Sequence, residues 1–244
     1  MKNRNFLEEM LKEIKITLSS KQLEQLDFYY DLIIEKNKVM NLTAITDYNE
    51  VVIKHFVDSL SLVGILDLND VTSVIDIGTG AGFPGIPLKI VFPHLNIVLL
   101  DSLNKRVKFL KDVITELDLN KNNASLIKAI HARAEDLAHN DEYREGFDLC
   151  VSRAVANLST LSEYCLPFVK PKGSFISYKA SNMQEELEEA ENAIKILGGK
   201  IVKIDSFHLP NTDMERRLIK IDKISSTPKK YPRNAGTPKR EPIQ

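Results

Sequence analysis

The apolar positions of this chain change their period once, close to residue 70. Before that point Leu23, Leu26, Tyr30 and Ile33 recur at helical spacing behind Ser19-Ser20-Lys21-Gln22, a capping-box pattern, and Val52, Phe56, Leu60 and Val63 form a second stripe. After it, short apolar runs alternate with amphipathic stretches. Val74 to Ile77, Ile97 to Leu100, Leu126 to Ile130, Phe147 to Val151 and Ser174 to Tyr178 read as strands. Between them Val107, Leu110, Ile114 and Leu117 mark a helix with Asn104 as its N-cap, while Leu187, Ala190, Ile194 and Leu197 mark one that stops at Gly198-Gly199. Such alternation implies a parallel sheet with right-handed crossovers. Lys200 to Phe207 and Arg216 to Ile224 break it, because only a Leu-Pro-Asn-Thr-Asp connection separates them, and they are expected to close the sheet as an antiparallel hairpin. The expected organisation is a helical extension over residues 1–70, an α/β core over 71–226 and a basic, proline-rich, extended arm over 227–244.

One stretch of the core carries chemistry. In Val74-Ile75-Asp76-Ile77-Gly78-Thr79-Gly80-Ala81-Gly82-Phe83-Pro84-Gly85 an apolar strand ends in an acid and opens into four glycines, the form of a tight strand-to-helix turn where nucleotide-like ligands sit. Asp101, at the end of the next strand, lies where a carboxylate can accept both ribose hydroxyls. Read from Gly80, the glycines fit the dinucleotide fingerprint G-x-G-x-x-G and an NAD(P)-dependent oxidoreductase. Read from Gly78, with Asp76 two residues ahead, they are similar to motif I of the S-adenosylmethionine-dependent class I methyltransferases. The hairpin ending favours the second reading, since a dinucleotide fold would continue with further crossovers.

Composition narrows the remaining choices. At 244 residues, 43% hydrophobic and with a formal net charge of −1, the chain is long enough for a sizeable core and shows no global attraction to nucleic acid. The sequence has no signal-length apolar segment and no apolar run of about 18 residues, which points to a cytoplasmic protein off the membrane. Cys150 and Cys165 read as buried inert thiols, and five scattered histidines show no metal-ligand spacing.

Several further segments, in this order, resemble a single family: Asn41-Leu42-Thr43-Ala44-Ile45, Lys54-His55-Phe56-Val57-Asp58-Ser59, the glycine turn, Asp101-Ser102-Leu103-Asn104-Lys105-Arg106, Arg133-Ala134-Glu135, Ser152-Arg153-Ala154 and Pro228-Lys229-Lys230-Tyr231-Pro232-Arg233. They are similar to the bacterial 16S ribosomal RNA (guanine-N7) methyltransferases, the glucose-inhibited division protein B family. The resemblance implies a class I methyltransferase fold, Rossmann-like, with a mostly parallel seven-stranded sheet. It also implies S-adenosylmethionine as methyl donor and 16S ribosomal RNA, free or in the small subunit, as acceptor, handled by a monomer.

The resemblance assigns Gly78, Gly80, Gly82 and Phe83 to the donor's methionine and ribose parts, Asp101 and Ser102 to the ribose hydroxyls, and Ala134 and Glu135 to the adenine. Arg153, at the carboxyl end of a strand, needs an anionic or carbonyl partner, for which the methionine carboxylate and the RNA are candidates; it is a substrate-orienting residue rather than an acid or base. RNA contact is expected from Lys105, Arg106, Lys179, Lys229, Lys230 and Arg233. Neither a D/N-P-P-Y nor a Pro-Cys motif stands at this strand end. That suits guanine N7, whose lone pair is already free, so catalysis would be positioning. A small-molecule methyltransferase is the other alternative, and it leaves the basic end of the chain unexplained.

Overall fold

A computed structural model of the chain describes residues 2–121, 125–154, 156–180 and 184–244; Val155, next to Ala154 in the segment searched for a nucleophile motif, lies outside the described residues. The strands are β1 (Ser73–Ile77), β2 (Asn96–Asp101), β3 (Ile127–His131), β4 (Phe147–Ser152), β5 (Val169–Ala180), β6 (Gly199–His208) and β7 (Glu215–Lys223). They form one sheet in the order β3-β2-β1-β4-β5-β7-β6. The first five are parallel, and β7 runs antiparallel to both β5 and β6. Because the chain winds outward from β1 to β3 and then returns to β4 on the other side, a crevice opens at the carboxyl ends of β1 and β4.

Alternating residues of β1 feed two cores, as the period of a strand requires. Val74 joins an apolar cluster with Ile86, Leu99 and Leu110 that also takes in Leu7, Leu26, Tyr29 and Phe56, so the N-terminal helices share a core with this face of the sheet. Ile75 and Ile77 face the other way, against Leu158, Leu161, Phe175 and Ile194. The helices on the first face are α1 (Arg4–Glu13), α2 (Ser20–Met40), α5 (Gly85–Val91) and α6 (Asn104–Glu116). A continuous but irregular rod joins them: α3 (Tyr48–Val51), a π-helical turn over Val52–Val57, α4 (Asp58–Leu60) and a 3₁₀ turn over Ser61–Gly64. On the second face lie α7 (Ala134–Leu137), α8 (Leu158–Cys165), a 3₁₀ turn (Leu166–Phe168), α9 (Gln184–Ile196) and, near the chain end, α10 (Thr237–Arg240).

Local rules account for most boundaries. The capping box at Ser19 forms both of its bonds, and Gly198 closes α9 at φ +83 by offering its carbonyl to the amides of Ile224 and Ser225. Four details differ from the sequence reading. The buried stripe of α2 runs through Tyr29, while Tyr30 is only half-buried and reaches the Thr46 carbonyl. Residues 26, 29 and 33 are spaced as helically as 26, 30 and 33, so periodicity alone cannot choose between adjacent tyrosines. The N-cap of α6 is Leu103, not Asn104, and has no side-chain cap bond; Asp101 Oδ1 accepts the Leu103 N–H instead, at 2.8 Å. β5 starts at Val169, ahead of a register shift, because Pro171 and Gly173 hid its first half. The fourth is the C-terminal segment, which is not an extended arm: Thr227, Tyr231, Pro232 and Pro238 are buried against the core.

Cys150 and Cys165 are free and buried, and burial raises the Cys150 thiol's pKa. Among the described residues no helix is long and apolar enough to cross a membrane.

Candidate donor and acceptor site

The glycine turn sits at the crevice and is held from three sides. Gly78 and Thr79 both donate backbone N–H bonds to the Leu100 carbonyl at the end of β2, at 2.9 and 3.2 Å. Asp76, wholly buried, accepts from the Thr79 hydroxyl at 2.6 Å and the Gly85 N–H at 2.9 Å through one oxygen. Burial pushes its pKa up to about 7, against the pull of those two donors. From the helical side, the Tyr29 hydroxyl donates to the Ala81 carbonyl at 2.6 Å.

The glycines divide into two kinds. Gly78 and Gly80 have φ of +71 and +63, and a Cβ on Gly80 would find no heavy atom nearer than 4.0 Å. Their conformation, not crowding, excludes side chains, and the space over Gly80 is open. Gly82 and Gly85 are packing glycines. A Cβ on Gly82 would fall 2.6 Å from both the Tyr29 hydroxyl and Ile86, and one on Gly85 would fall 2.2 Å from Leu99.

Asp101 is 3% exposed, and its Oδ2 accepts from Gly80 N–H at 3.0 Å with Arg106 3.4 Å away. The turn and the acid of the next strand therefore form one unit. Ser102 is exposed, and its carbonyl contacts His131. Ala134 opens α7 beyond β3, and the Glu135 side chain, also nearly buried, accepts the Gly236 N–H at 2.9 Å from the far end of the chain.

Arg153 follows β4 and turns towards the helical rod. It donates to the His55 carbonyl at 3.2 Å, the Ser59 hydroxyl at 3.0 Å and the Lys54 carbonyl at 3.4 Å, with Asp58 at 3.4 Å. Two of these acceptors lie in the π-helical turn, a local widening of the kind that recurs at functional sites. Phe83 stacks on His55 at 4.5 Å, and the Arg153 guanidinium lies 5.5 Å from the same ring. The other edge of His55 meets the Thr43 hydroxyl at 2.9 Å. Burial, reinforced by the charge of Arg153, holds His55 down at a pKa of about 3. Arg216 on β7 approaches the other oxygen of Asp58 at 3.3 Å.

Thr43, Lys54, His55, Asp58, Ser59, Phe83 and Arg153, scattered in the sequence, thus meet beyond the carboxyl ends of β1 and β4. Of the cations expected to touch RNA, Lys105, Lys229 and Lys230 are exposed. Three others have partners: Arg106 lies beside Asp101, Lys179 is tied to Glu186 at 2.6 Å and to the Ala156 carbonyl, and Arg233 is clamped on Glu163 at 2.7 Å. Sequence reasoning overlooked Tyr29, Thr79 and Arg216. Thr79 stood between the glycines, but Tyr29 and Arg216 carried no local signal.

A sheet of this order, with a glycine turn leaving β1 and an acid closing β2, defines the class I methyltransferase architecture. Solved structures agree on the fold. TYW2 of M. jannaschii in complex with AdoMet aligns with a TM-score of 0.51 at 14% identity, covering 86% of this chain and 80% of that one. Precorrin-6y C5,15-methyltransferase from Geobacter metallireducens GS-15 gives 0.50 at 14% identity, over 76% and 92%. The family model for rRNA small subunit methyltransferase G, GidB, matches residues 22–219. The ribosomal RNA small subunit methyltransferase G of Lachnoclostridium phytofermentans is 53% identical over 96% of this chain and 94% of its own length, and that of Alkaliphilus metalliredigens is 47% identical over all of both. The chain belongs to the GidB family of small-subunit ribosomal RNA methyltransferases.

Proposed function

We propose that this protein transfers a methyl group from S-adenosylmethionine to N7 of a guanine in 16S ribosomal RNA, acting as a monomer in the cytoplasm. Family membership over nearly the whole chain carries this reading, because a donor turn of this kind serves many acceptors.

The residues present fit the donor. Open space over Gly80, two left-handed glycines and the Asp101 carboxylate suit the ribose and methionine parts, with Gly78, Gly80, Phe83 and Asp101 lining that end and Ala134 and Glu135 the adenine end. When bound, S-adenosylmethionine supplies a methyl group on positively charged sulfur, open to in-line attack by a lone pair. The titratable groups described at the crevice suit an acceptor that needs no base. His55 is too weakly basic to take up a proton near neutrality, and Asp76 is sealed behind the turn. What these side chains can do is hold geometry. Arg153 fixes the rod carrying Lys54 to Ser59 against the Phe83 ring, and the guanine would be positioned between that rod and the donor turn. Exposed Lys105, Lys229, Lys230, Lys239 and Arg240 would meet RNA phosphates.

Incubation with labelled S-adenosylmethionine and either naked 16S RNA or small subunits from a strain lacking the gene, followed by mapping of the modified base, tests the proposal. One N7-methylguanine is expected. Label at another atom, or in no ribosomal guanine on either substrate, overturns it.

A further inference from the structure

The strand order obliges the end of the chain to travel from the back of the sheet to the front. β7 is antiparallel to its neighbours, so Lys223 leaves the sheet at the edge opposite the glycine turn. There Thr227 is pinned: its N–H donates to Glu145 and its hydroxyl to the Leu197 carbonyl, and it accepts from the buried Lys223 ammonium, each at 2.7 Å. The chain then runs forward along α8. Midway Arg233 grips the buried Glu163 with Nε at 3.0 Å and a terminal nitrogen at 2.7 Å, while its own N–H donates to the same carboxylate at 2.7 Å. At the front the Thr160 hydroxyl donates to the Pro238 carbonyl at 3.0 Å and the Ser159 hydroxyl to that of Ile243 at 2.6 Å.

Between Arg233 and Pro238 lies Gly236, whose N–H donates to Glu135 Oε1 at 2.9 Å. Glu135 belongs to a single-turn helix, too short to fix its own side chains. The strap supplies what that turn lacks, a donor that sets the carboxylate's direction.

We propose that the C-terminal strap is a positioning element of the donor site: through the Gly236 amide it fixes Glu135, and with it the β3-to-α7 turn at the adenine end. This rests on the reading that Ala134 and Glu135 hold the adenine.

The test is calorimetric binding of S-adenosylmethionine without RNA, together with donor KM and kcat, for three variants. These are a deletion of residues 234–244, Glu135→Ala, and the two combined. The deletion keeps Arg233 on Glu163 and Thr227 on Lys223, so the main anchors of the segment remain, and urea unfolding checks that it is folded. Loss of one charge-assisted bond in a nearly buried setting should weaken donor binding about tenfold and raise the donor KM equally, with kcat little changed. The combined variant should be no weaker than Glu135→Ala alone, because without the carboxylate the strap has no link left to lose. A strap that merely adds stability would lower the unfolding midpoint and leave donor affinity intact, which would overturn the proposal. So would losses that add in the combined variant. Should Glu135→Ala itself bind the donor normally, the adenine-end assignment fails first, a result distinct from failure of the strap alone.

Discussion

The hydroxyl of Tyr29, on α2, donates a 2.6 Å hydrogen bond to the carbonyl of Ala81, in the middle of the glycine turn. The same tyrosine ring lies 5.5 Å from Phe83 and 5.9 Å from Phe56, so one residue joins the helical extension, the turn and the rod that receives Arg153. The N-terminal helices are therefore part of how the turn is shaped. Tyr29→Phe keeps the ring and removes the bond, leaving a buried carbonyl without its partner. It should cost about 1–3 kcal/mol in urea unfolding and weaken S-adenosylmethionine binding with little effect on kcat at saturating donor. Unchanged donor affinity would show that the turn keeps its shape unaided.

The two kinds of glycine should separate experimentally. Gly82→Ala drives a methyl group into Ile86 and the Tyr29 hydroxyl at a φ of +109 and should cost at least about 2 kcal/mol, enough to lower soluble yield. Gly80→Ala meets open space and should cost only about 1 kcal/mol, while donor binding falls sharply because its methyl group occupies that space. Equal stability losses for the two variants would refute the division.

His55 gives the pH dependence a sign. Its folded value of about 3 lies below its ordinary 6.5, so the unfolded chain takes up a proton that the folded one refuses. The stability tied to this refusal is complete above pH 6.5 and drains away as the pH falls towards 3. His55→Gln removes the linkage. Between about pH 7 and about pH 5 the wild type should lose about 2 kcal/mol relative to the variant in parallel urea titrations. A constant difference across that range would mean that the imidazole protonates readily when folded.

Arg233 and its neighbours on the same segment should behave differently. Arg233→Gln leaves Glu163, with 1% of its side chain exposed, without its counter-ion and should cost about 3 kcal/mol of stability. Lys229→Gln or Lys239→Gln should leave the unfolding midpoint alone and reduce the salt dependence of RNA binding by about one unit of log–log slope per lysine that meets a phosphate. If both lysine variants keep the wild-type salt slope, this face is not where RNA lies.

These contrasts explain what could be read from the sequence. The glycine turn and Asp101 were legible because backbone at positive φ and a carboxylate at a strand end are local demands that leave local marks. The hairpin was legible for the same reason. Tyr29 was not, since its bond to Ala81 joins residues 52 positions apart and its neighbour Tyr30 fits the same helical stripe. The C-terminal segment misled because a run of lysine, arginine and proline has the composition of a solvated tail. Its counter-ion, Glu163, lies 70 residues upstream inside an apolar helix, and nothing in the run announces it.

The antiparallel placement of β7 has a consequence in time as well as in space. Ribosomes deliver a chain from its N-terminus, and Gly236, which reaches Glu135, emerges 101 residues after it. On the strap proposal, a nascent chain would have its sheet, its glycine turn and its helical brace before it could hold the methyl donor well. Donor affinity would gain its last factor of about ten only once residues 234–244 have packed along α8.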